Sequence, residues 1–147
     1  MDSVTLYTDG ACSGNPGVGG WACLILYKDE KIICKGYNPS TTNNQMELIA
    51  FIEGIEFVLR RYPNIKNIMV FTDSQYLSKG INEWIHKWVE NDWQNSDGKE
   101  IKNLDLWRKI YDFLKKLNIK CNWTKGHNND EYNNLVDKEA RSMIEIS

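Results

Sequence analysis

The sequence has no long hydrophobic run, no closely spaced cysteine pair and no basic tail, and each absence removes a class of protein. Residues Met1 to Val4 show no basic stretch leading into an apolar one, and no segment is long enough to cross a bilayer, so we expect neither a signal peptide nor a membrane partner. The cysteine spacings do not fit a zinc motif, and four cysteines do not require a disulfide framework in a chain of 147 residues. We therefore expect free thiols and a cytoplasmic location.

The charge of the chain gives no support to nucleic-acid binding by the molecule as a whole. The formal net charge is −2 and the pI is about 5.7, so any contact with a polyanion must depend on local residues. Internal repeats, low-complexity tracts and linker-like runs are also absent from the sequence. With 41% hydrophobic residues, the segment 1–147 is predicted to form a single domain around one sizeable core.

The hydrophobic pattern predicts an α/β domain. Alternating or unbroken apolar segments predict strands at 4–8, 21–27, 31–37, 68–71 and 119–123, with a hairpin across residues 28–30. Apolar residues at helical spacing predict helices at about 42–62, 74–89, 104–117 and 132–144. The order βββαβααβα predicts a mixed sheet covered by helices, with antiparallel strands first and parallel crossovers later.

Two aspartates follow strands that are predicted to be parallel neighbours. Asp9 ends the first strand, and Asp73 ends the fourth. Ligands of open α/β sheets bind outside the carboxyl ends of the parallel strands, so the two carboxylates should meet there. Adjacent carboxylates repel each other unless a cation lies between them, and such hard oxygen ligands suit Mg²⁺ or Mn²⁺. The pair therefore indicates a metal site.

Each acidic residue also has an ordinary structural interpretation, and the pattern alone does not choose between the two. Asp9 suits a turn, and Asp73 suits the N-cap of the helix that follows it. Glu47 stands three residues after Asn44, where a capping-box glutamate belongs. Asp137 lies in a charged helical segment and would ordinarily be a solvated residue.

Several motifs, taken together and in this order, resemble type 1 ribonuclease H, in particular its bacterial members. They are Tyr7-Thr8-Asp9-Gly10, Gly14-Asn15-Pro16-Gly17, Thr42-Asn43-Asn44-Gln45-Met46-Glu47-Leu48, Thr72-Asp73-Ser74-Gln75-Tyr76, Trp84-Ile85-His86, Asp105-Leu106-Trp107 and Lys125-Gly126-His127. The resemblance covers about residues 3–143. It implies the ribonuclease H fold, a mixed five-stranded sheet with helices on both faces, and no separate hybrid-binding domain.

The resemblance implies an endoribonuclease that hydrolyses the RNA strand of RNA/DNA hybrids and leaves 5′-phosphate and 3′-hydroxyl ends. Asp9, Glu47, Asp73 and Asp137 match the family's ligands for two Mg²⁺ ions, with Mn²⁺ as the other candidate metal. His127 matches the family's mobile histidine, whose near-neutral pKa suits proton shuttling or product release. The family also implies a monomer that needs no small-molecule cofactor.

The resemblance assigns substrate contacts as well. The family's contacts to ribose hydroxyls or the minor groove are matched by Cys12, Gly14, Asn15, Asn44 and Gln75. Its phosphate pocket for the DNA strand is matched by Thr42, Asn43 and Asn103. Its aromatic segment beside the DNA-binding groove is matched by Trp84, Trp88 and Trp93. Amide groups suit a 2′-hydroxyl because it both donates and accepts hydrogen bonds. Asn133 matches a residue that positions the last helix or the water. A tight turn at 14–20 and simple helix packing of the tryptophans remain alternatives, and we expect at least one tryptophan in the core.

The segment from Glu83 to Asn103, called the handle below, departs from the bacterial members, which carry clustered lysines and arginines there. It contains five acidic residues and three lysines, namely Glu83, Glu90, Asp92, Asp97, Glu100, Lys87, Lys99 and Lys102. Neutralisation of phosphates contributes much of the affinity for a hybrid. The net negative charge of the handle therefore predicts weaker binding with a smaller salt dependence.

Three rival functions fit parts of the pattern: a hybrid-binding module without catalysis, a DNA nuclease of the resolvase or transposase type on the same fold, and a purely structural domain. The presence of all the acidic residues argues against the first. Asn44 and Gln75, as readers of ribose, argue against the second. The repulsion among clustered carboxylates argues against the third.

Overall fold

One mixed sheet organises the molecule in the computed structural model, which describes residues 2–125 and 130–146. Its strands are β1 (Ser3–Gly14), β2 (Gly17–Tyr27), β3 (Glu30–Thr41), β4 (Asn67–Thr72) and β5 (Asn118–Trp123). The helices are α1 (Asn43–Arg61), α2 (Gln75–Lys79), α3 (Ile85–Glu90), α4 (Leu104–Lys116) and α5 (Glu131–Glu145), and a π-helical turn, Gly80–Trp84, joins α2 to α3. None of these helices has the length and apolar character that crossing a bilayer requires.

The sheet combines antiparallel and parallel pairing, as predicted. The strand order is β3-β2-β1-β4-β5, so β1 lies at the centre and β3 and β5 lie at the edges. The pairs β1–β2 and β2–β3 are antiparallel, whereas β1–β4 and β4–β5 are parallel. The parallel pairs follow from helical crossovers, which return the chain to the same end of the sheet. The predicted five-stranded mixed sheet is therefore confirmed.

Helices cover both faces of the sheet because β2 is apolar on both sides. Cys23 and Ile25 belong to the large core beneath α1, whereas Ala22 and Leu24 pack against α5 in a smaller cluster. Alternate residues of a strand point to opposite faces, so this division places α1 and α5 on opposite sides. The expected helices on both faces are confirmed.

The strands of the first two hairpins are longer than the hydrophobic pattern predicted. β1 continues to Gly14 and β2 begins at Gly17, so the glycine-rich segment at 14–20 is mostly strand and only Asn15 and Pro16 form the turn. Close packing against α5 explains part of this glycine content, since a Cβ at Gly20 would lie 2.1 Å from the Ala140 carbonyl oxygen. The interpretation of 14–20 as a tight turn that leads into a strand is therefore confirmed, with the turn at Asn15 and Pro16.

The helix predicted at 74–89 is present but is not uniformly α-helical. A π-helical turn interrupts it at Gly80–Trp84. A Cβ at Gly80 would lie 1.9 Å from the buried ring of Trp107, so only glycine lets that ring reach the helix backbone. Hydrophobic spacing did not reveal the interruption, because a single π turn shifts the apolar face without removing it.

Candidate active site

Three carboxylates meet at the end of the parallel strand pair. Asp9, Glu47 and Asp73 each offer an oxygen atom, and these oxygens lie within 4.8 Å of one another. Asp9 and Glu47 are buried, at 3% and 4% exposure, and Asp73 is half-buried. The structure therefore brings together three of the four acidic residues that the sequence singled out as metal ligands.

The pairing of β1 with β4 places two of these carboxylates side by side. The parallel ladder ends at the pair Thr8 and Thr72, so Asp9 and Asp73 are the next residue of each chain segment. The prediction that Asp9 ends β1 is wrong. The strand continues in its antiparallel ladder with β2, where Asp9 pairs with Ala22. Asp9 instead marks the point at which β1 and β4 separate and open space for a ligand.

Asp73 is not the cap of the helix that follows it. Ser74 is the N-cap of α2, and its hydroxyl accepts a hydrogen bond of 3.0 Å from the Leu77 amide. The backbone around Asp73 is fixed from β5, because the Trp123 indole donates to the Asp73 carbonyl at 3.1 Å. The ordinary interpretation of Asp73 as an N-cap is wrong.

Glu47 is likewise not a capping-box residue. Thr42 is the N-cap of α1, and its hydroxyl accepts a hydrogen bond of 3.2 Å from the Gln45 amide. Glu47 therefore lies beyond the capping position and faces β1. A Cβ at Gly10 would lie 2.5 Å from the Glu47 amide nitrogen, so the missing side chain lets α1 approach β1 closely. This approach buries Glu47 beside Asp9.

Asp137 reaches the same place from α5. It lines the surface depression that also contains Asp9, Glu47 and Asp73, with a volume of about 490 Å³. Its carboxylate lies 3.0 Å from Arg141, one helical turn away, and its side chain is 39% exposed. Asp137 is therefore both partly solvated, as its helical context indicated, and positioned at the rim of the carboxylate cluster.

The cluster is electrostatically strained without a cation. Burial, together with the nearby charges of Glu47, Asp73 and Asp137, raises the pKa of Asp9 to about 10. Burial also raises the pKa of Glu47 well above its usual range, and Asp73 adds to that shift while the Gly10 amide opposes it. Clustered groups with such shifts are common where function requires them.

The donor atoms of the cluster fit a hard divalent cation. Among the described residues, Asp9 Oδ2 and Glu47 Oε1 are buried without a hydrogen-bond partner, while Asp9 Oδ1 accepts a bond of 3.0 Å from the Gly10 amide. A buried polar atom that lacks a partner costs about 1–3 kcal/mol. Carboxylate oxygens are the ligands that Mg²⁺ and Mn²⁺ prefer, so a cation would both satisfy these atoms and reverse the rise in pKa. The cluster can therefore hold metal ions.

Most of the residues predicted to read ribose surround the same depression. Cys12, Asn44 and Gln75 line it, as does Asn43 of the predicted phosphate pocket, and Asn15 lies in the adjoining β1–β2 turn after Gly14, whose φ is +91°. The Asn15 side chain accepts a hydrogen bond of 3.2 Å from the Asn43 amide, and the Cys12 thiol donates to the Thr41 carbonyl at 3.4 Å. The turn is thereby held against the start of α1.

Asn103 is connected to the start of α1 by side-chain hydrogen bonds. Its Oδ1 accepts a bond of 3.2 Å from Gln45, and its Nδ2 donates to the Tyr76 hydroxyl at 3.1 Å. The same hydroxyl accepts a bond of 3.1 Å from Trp107. Gln45 thus joins Asn103 to the helix end that carries Thr42 and Asn43.

The predicted tryptophans form an aromatic surface at the start of the handle. Trp84, Trp88 and Trp93 are all half-buried, so none is a fully buried core residue as we expected of at least one. Trp88 and Trp93 nevertheless pack against the large core, and the Trp88 ring lies 5.4 Å from that of Trp107. Trp84 and Trp88 also line a surface depression of about 400 Å³.

Two residues that hold the carboxylates in place, Arg141 and Trp123, were not predicted from the sequence. Arg141 follows Asp137 at the i,i+4 spacing of a helical ion pair, a signal that could have identified it. Nothing in the sequence marks Trp123 as a donor to Asp73. Asn133 is buried, and His127 lies outside the described residues.

Comparison with known proteins agrees with this geometry. The profile of the family described as RNase H matches residues 1–145. Ribonuclease H of Caldicellulosiruptor saccharolyticus is 48% identical over 145 residues, covering 98% of this chain and 97% of the relative. Ribonuclease HI of Rickettsia conorii is 46% identical over 141 residues, covering 95% and 90%.

Solved structures give the same answer for the fold. LC9-RNase H1, described as a type 1 RNase H with the type 2 active-site motif, has a TM-score of 0.84 at 26% identity over 99% of this chain and 73% of that one. LC11-RNase H1, solved in complex with RNA/DNA hybrid, has a TM-score of 0.73 at 20% identity over 97% of both chains. With a family profile and close relatives that span nearly all of its length, this chain belongs to the ribonuclease H family.

Proposed function

We propose that this protein is an endoribonuclease that hydrolyses the RNA strand of RNA/DNA hybrids and leaves 5′-phosphate and 3′-hydroxyl ends. The single observation that carries the proposal is the cluster of Asp9, Glu47 and Asp73, whose oxygens lie within 4.8 Å of one another. Membership of the ribonuclease H family supports the choice of substrate, since family members degrade RNA in hybrids. Asp137, at the rim of the cluster, completes the set.

The four carboxylates would hold two Mg²⁺ or Mn²⁺ ions. When bound, such a pair activates water and stabilises the leaving 3′ oxygen of an in-line displacement. The protein fixes the ligands beforehand: the Gly10 amide orients Asp9, the packing of α1 against β1 buries Glu47, and Arg141 restrains Asp137. This preorganisation suits cation binding, because a cation offsets the repulsion among the ionised carboxylates and finds its ligands already in place.

Proton transfer would fall to His127, which belongs to the segment between β5 and α5 in the sequence. An imidazole has an intrinsic pKa near neutrality, so it can accept or release a proton at the working pH. Trp123 and Thr124, just before that segment, are tied to the strand end that carries Asp73, because Thr124 donates from its amide to the Thr72 carbonyl at 2.7 Å. The start of the segment is therefore anchored beside the site.

Recognition of the RNA strand would depend on polar groups around the depression. Cys12, Gly14, Asn15, Asn44 and Gln75 supply thiol, backbone and amide groups at its edge. Amides donate and accept hydrogen bonds, which matches the 2′-hydroxyl that distinguishes RNA from DNA. A strand without 2′-hydroxyls would leave these groups unpaired, so the RNA strand is the one cleaved.

Recognition of the DNA strand would use a second set of residues along α1 and the handle. Thr42 and Asn43 stand at the N-terminus of α1, where backbone amides and the helix dipole favour a phosphate, and Asn103 is tied to this helix end through Gln45. Trp84 and Trp88 would lie along the sugar and base edges of the strand. The acidic handle offers few cations to the phosphates of the DNA strand, so binding of this strand by the handle is weak.

The remaining expectations are part of the same proposal. Residues 1–147 would act as a single ribonuclease H domain. The protein would work as a cytoplasmic monomer that needs no small-molecule cofactor.

A cleavage assay with matched substrates tests the proposal. Labelled RNA/DNA hybrid, single-stranded RNA and duplex DNA are incubated with the protein in Mg²⁺ and in chelator, alongside Asp73→Asn and the exposed control Asp29→Asn. Cleavage of the RNA in the hybrid alone, abolished by chelator and by Asp73→Asn but kept by Asp29→Asn, is the expected result. Cleavage of duplex DNA would instead indicate a DNA nuclease, and binding without cleavage by the folded protein would indicate a hybrid-binding module.

A further inference from the structure

Two cysteines lie opposite each other on the neighbouring strands β2 and β3. Cys23 of β2 and Cys34 of β3 are partners in the antiparallel register. Directly opposed residues in such a ladder have Cα atoms about 4.5 or 5.5 Å apart, and both distances fall within the range of about 4.4–6.8 Å that a disulfide requires. The backbone therefore already permits a cross-strand bond.

The two thiols differ in how easily a reagent can reach them. Cys23 is fully buried in the core beneath α1, near Gly54, whereas Cys34 is half-buried on the edge strand β3. The other two cysteines have different surroundings. Cys12 donates its thiol to the Thr41 carbonyl, and Cys121 is buried, which raises its pKa to about 12.

The surroundings of Cys34 also favour its reactive thiolate form. A hydrogen bond from the Cys23 thiol lowers the pKa of Cys34 to about 7 against the opposing effect of burial. On α1, the charge of Arg60 lowers this pKa as well, while Glu53 raises it. The same pairing raises the pKa of Cys23 well above its usual range, so Cys23 keeps its proton. The accessible sulfur is thus the nucleophilic one.

We propose that Cys34 and Cys23 form an oxidant-reactive thiol pair that takes hydrogen peroxide and closes a reversible cross-strand disulfide. The Cys34 thiolate attacks one peroxide oxygen, so that an S–O bond forms, the O–O bond breaks, and hydroxide leaves and is protonated to water. The Cys23 sulfur then attacks the Cys34 sulfenic acid, the S–S bond forms, and the S–O bond breaks. The departing hydroxyl takes the Cys23 proton and leaves as water.

The reaction balances in atoms and electrons. Two thiols lose two electrons and two protons, and one peroxide is reduced to two waters. The proposal does not depend on nuclease activity. It does place the oxidisable pair one strand from the carboxylate cluster, because Cys23 also pairs with Thr8 of β1, the residue before Asp9.

Peptide mapping of the folded protein tests the proposal directly. The protein is treated with hydrogen peroxide, its remaining thiols are alkylated, and it is digested with trypsin. The first lysine or arginine is Lys28, so Cys12 and Cys23 share the peptide 1–28, while Cys34 falls in the peptide 32–35. We expect these two peptides to be joined, with a mass lower by two hydrogens than their sum, and to be separated again by dithiothreitol.

Matched variants identify which cysteine forms the link. Cys12→Ser should keep the cross-link, whereas Cys23→Ser should lose it and accumulate a sulfenic acid on Cys34 that dimedone traps. In the untreated protein at pH 7, Cys34 should be alkylated at least about tenfold faster than Cys121, because only the thiolate reacts. Circular dichroism establishes that each variant is folded.

Three results would overturn the proposal. They are the absence of a cross-link in folded protein treated with hydrogen peroxide, a cross-link that is still formed in Cys23→Ser, and equal alkylation rates for Cys34 and Cys121.

Discussion

The carboxylate cluster and the handle carry acidic residues of opposite character. In the cluster, Asp9 and Glu47 are buried, have raised pKa values and keep oxygens without a hydrogen-bond partner among the described residues. In the handle, the acidic side chains Glu83 and Glu90 are exposed. The first set carries an electrostatic penalty that a proton or a cation relieves, whereas the second sets the field that an approaching polyanion meets.

This difference separates chemistry from affinity. Changes in the cluster should abolish the reaction while substrate binding changes little, and changes in the handle should alter binding while the chemical step is kept. Substitutions in each region, and the pH dependence of stability, can break that separation.

Replacing Asp9 by Asn should lower kcat for hybrid cleavage by at least about a thousandfold, because it removes a negatively charged ligand without changing the size of the side chain. The change is measured in single-turnover assays, with hybrid affinity measured separately by fluorescence anisotropy. Asp29→Asn, an exposed turn residue, is the control and should behave as wild type. A comparable loss of affinity in Asp9→Asn would show that the cluster and substrate binding are not separable.

The stability of the metal-free protein should fall as the pH rises. The folded-state pKa of Asp9 is raised to about 10 from an ordinary value of 3.8, so its contribution is fully present below pH 3.8 and is lost as the pH approaches 10. The slope for one such proton is at most about 1.4 kcal/mol per pH unit. The pH dependence of the free energy of unfolding is measured by urea denaturation in chelator, for wild type and for Asp9→Asn.

Mg²⁺ should oppose this loss, because a cation binds the ionised cluster and stabilises only the folded state. The stabilisation by Mg²⁺ should therefore grow as the pH rises. Stability curves of wild type and Asp9→Asn with the same pH dependence would show that Asp9 is not the group responsible.

Replacing Glu90 by Lys in the handle should lower KM for the hybrid several-fold at low salt and leave kcat unchanged. The new cation can neutralise one phosphate, so the slope of log affinity against log salt should steepen by about 0.9. The assay is repeated over a range of salt concentrations. Asp29→Lys makes the same charge change far from the handle and should show a much smaller effect; an equal effect would mean that net charge alone, not the handle, governs affinity.

Replacing Ser74 by Ala should destabilise the protein by about 1 kcal/mol, because α2 loses the hydroxyl that caps its Leu77 amide. Since Ser74 follows Asp73, kcat should also fall by a few-fold as the carboxylate loses a fixed backbone. Thermal unfolding and cleavage assays measure the two effects. Ile110→Val, a core change of similar cost outside the site, is the control, and an equal fall in kcat there would attribute the effect to general loosening.

Much of this arrangement could be predicted from the sequence because it follows from local rules. The apolar run before Asp73 and the helix α1 between β3 and β4 together favoured a parallel β1–β4 pair, and parallel strands bring Asp9 and Asp73 to one edge. The residue motifs then favoured a metal site over a turn and a helix cap. What the sequence could predict was which residues meet.

The details that depend on tertiary packing could not be predicted. Whether Ser74 or Asp73 caps α2 depends on the backbone that Trp123 and Thr72 hold in place, and both residues are good caps in isolation. The strand character of 14–20 depends on α5 lying over Gly20, which no local pattern contains. The burial of Glu47 depends likewise on Gly10, far from it in the chain.

The central claim is that Asp9, Glu47, Asp73 and Asp137 together hold the metal ions that catalysis requires. Electron paramagnetic resonance of Mn²⁺, titrated into the protein with a non-cleavable hybrid, counts the ions bound to wild type and to Asp9→Asn. We predict two bound ions in wild type and the loss of at least one in Asp9→Asn, with Asp29→Asn unchanged. Equal Mn²⁺ binding by wild type and Asp9→Asn would contradict the account.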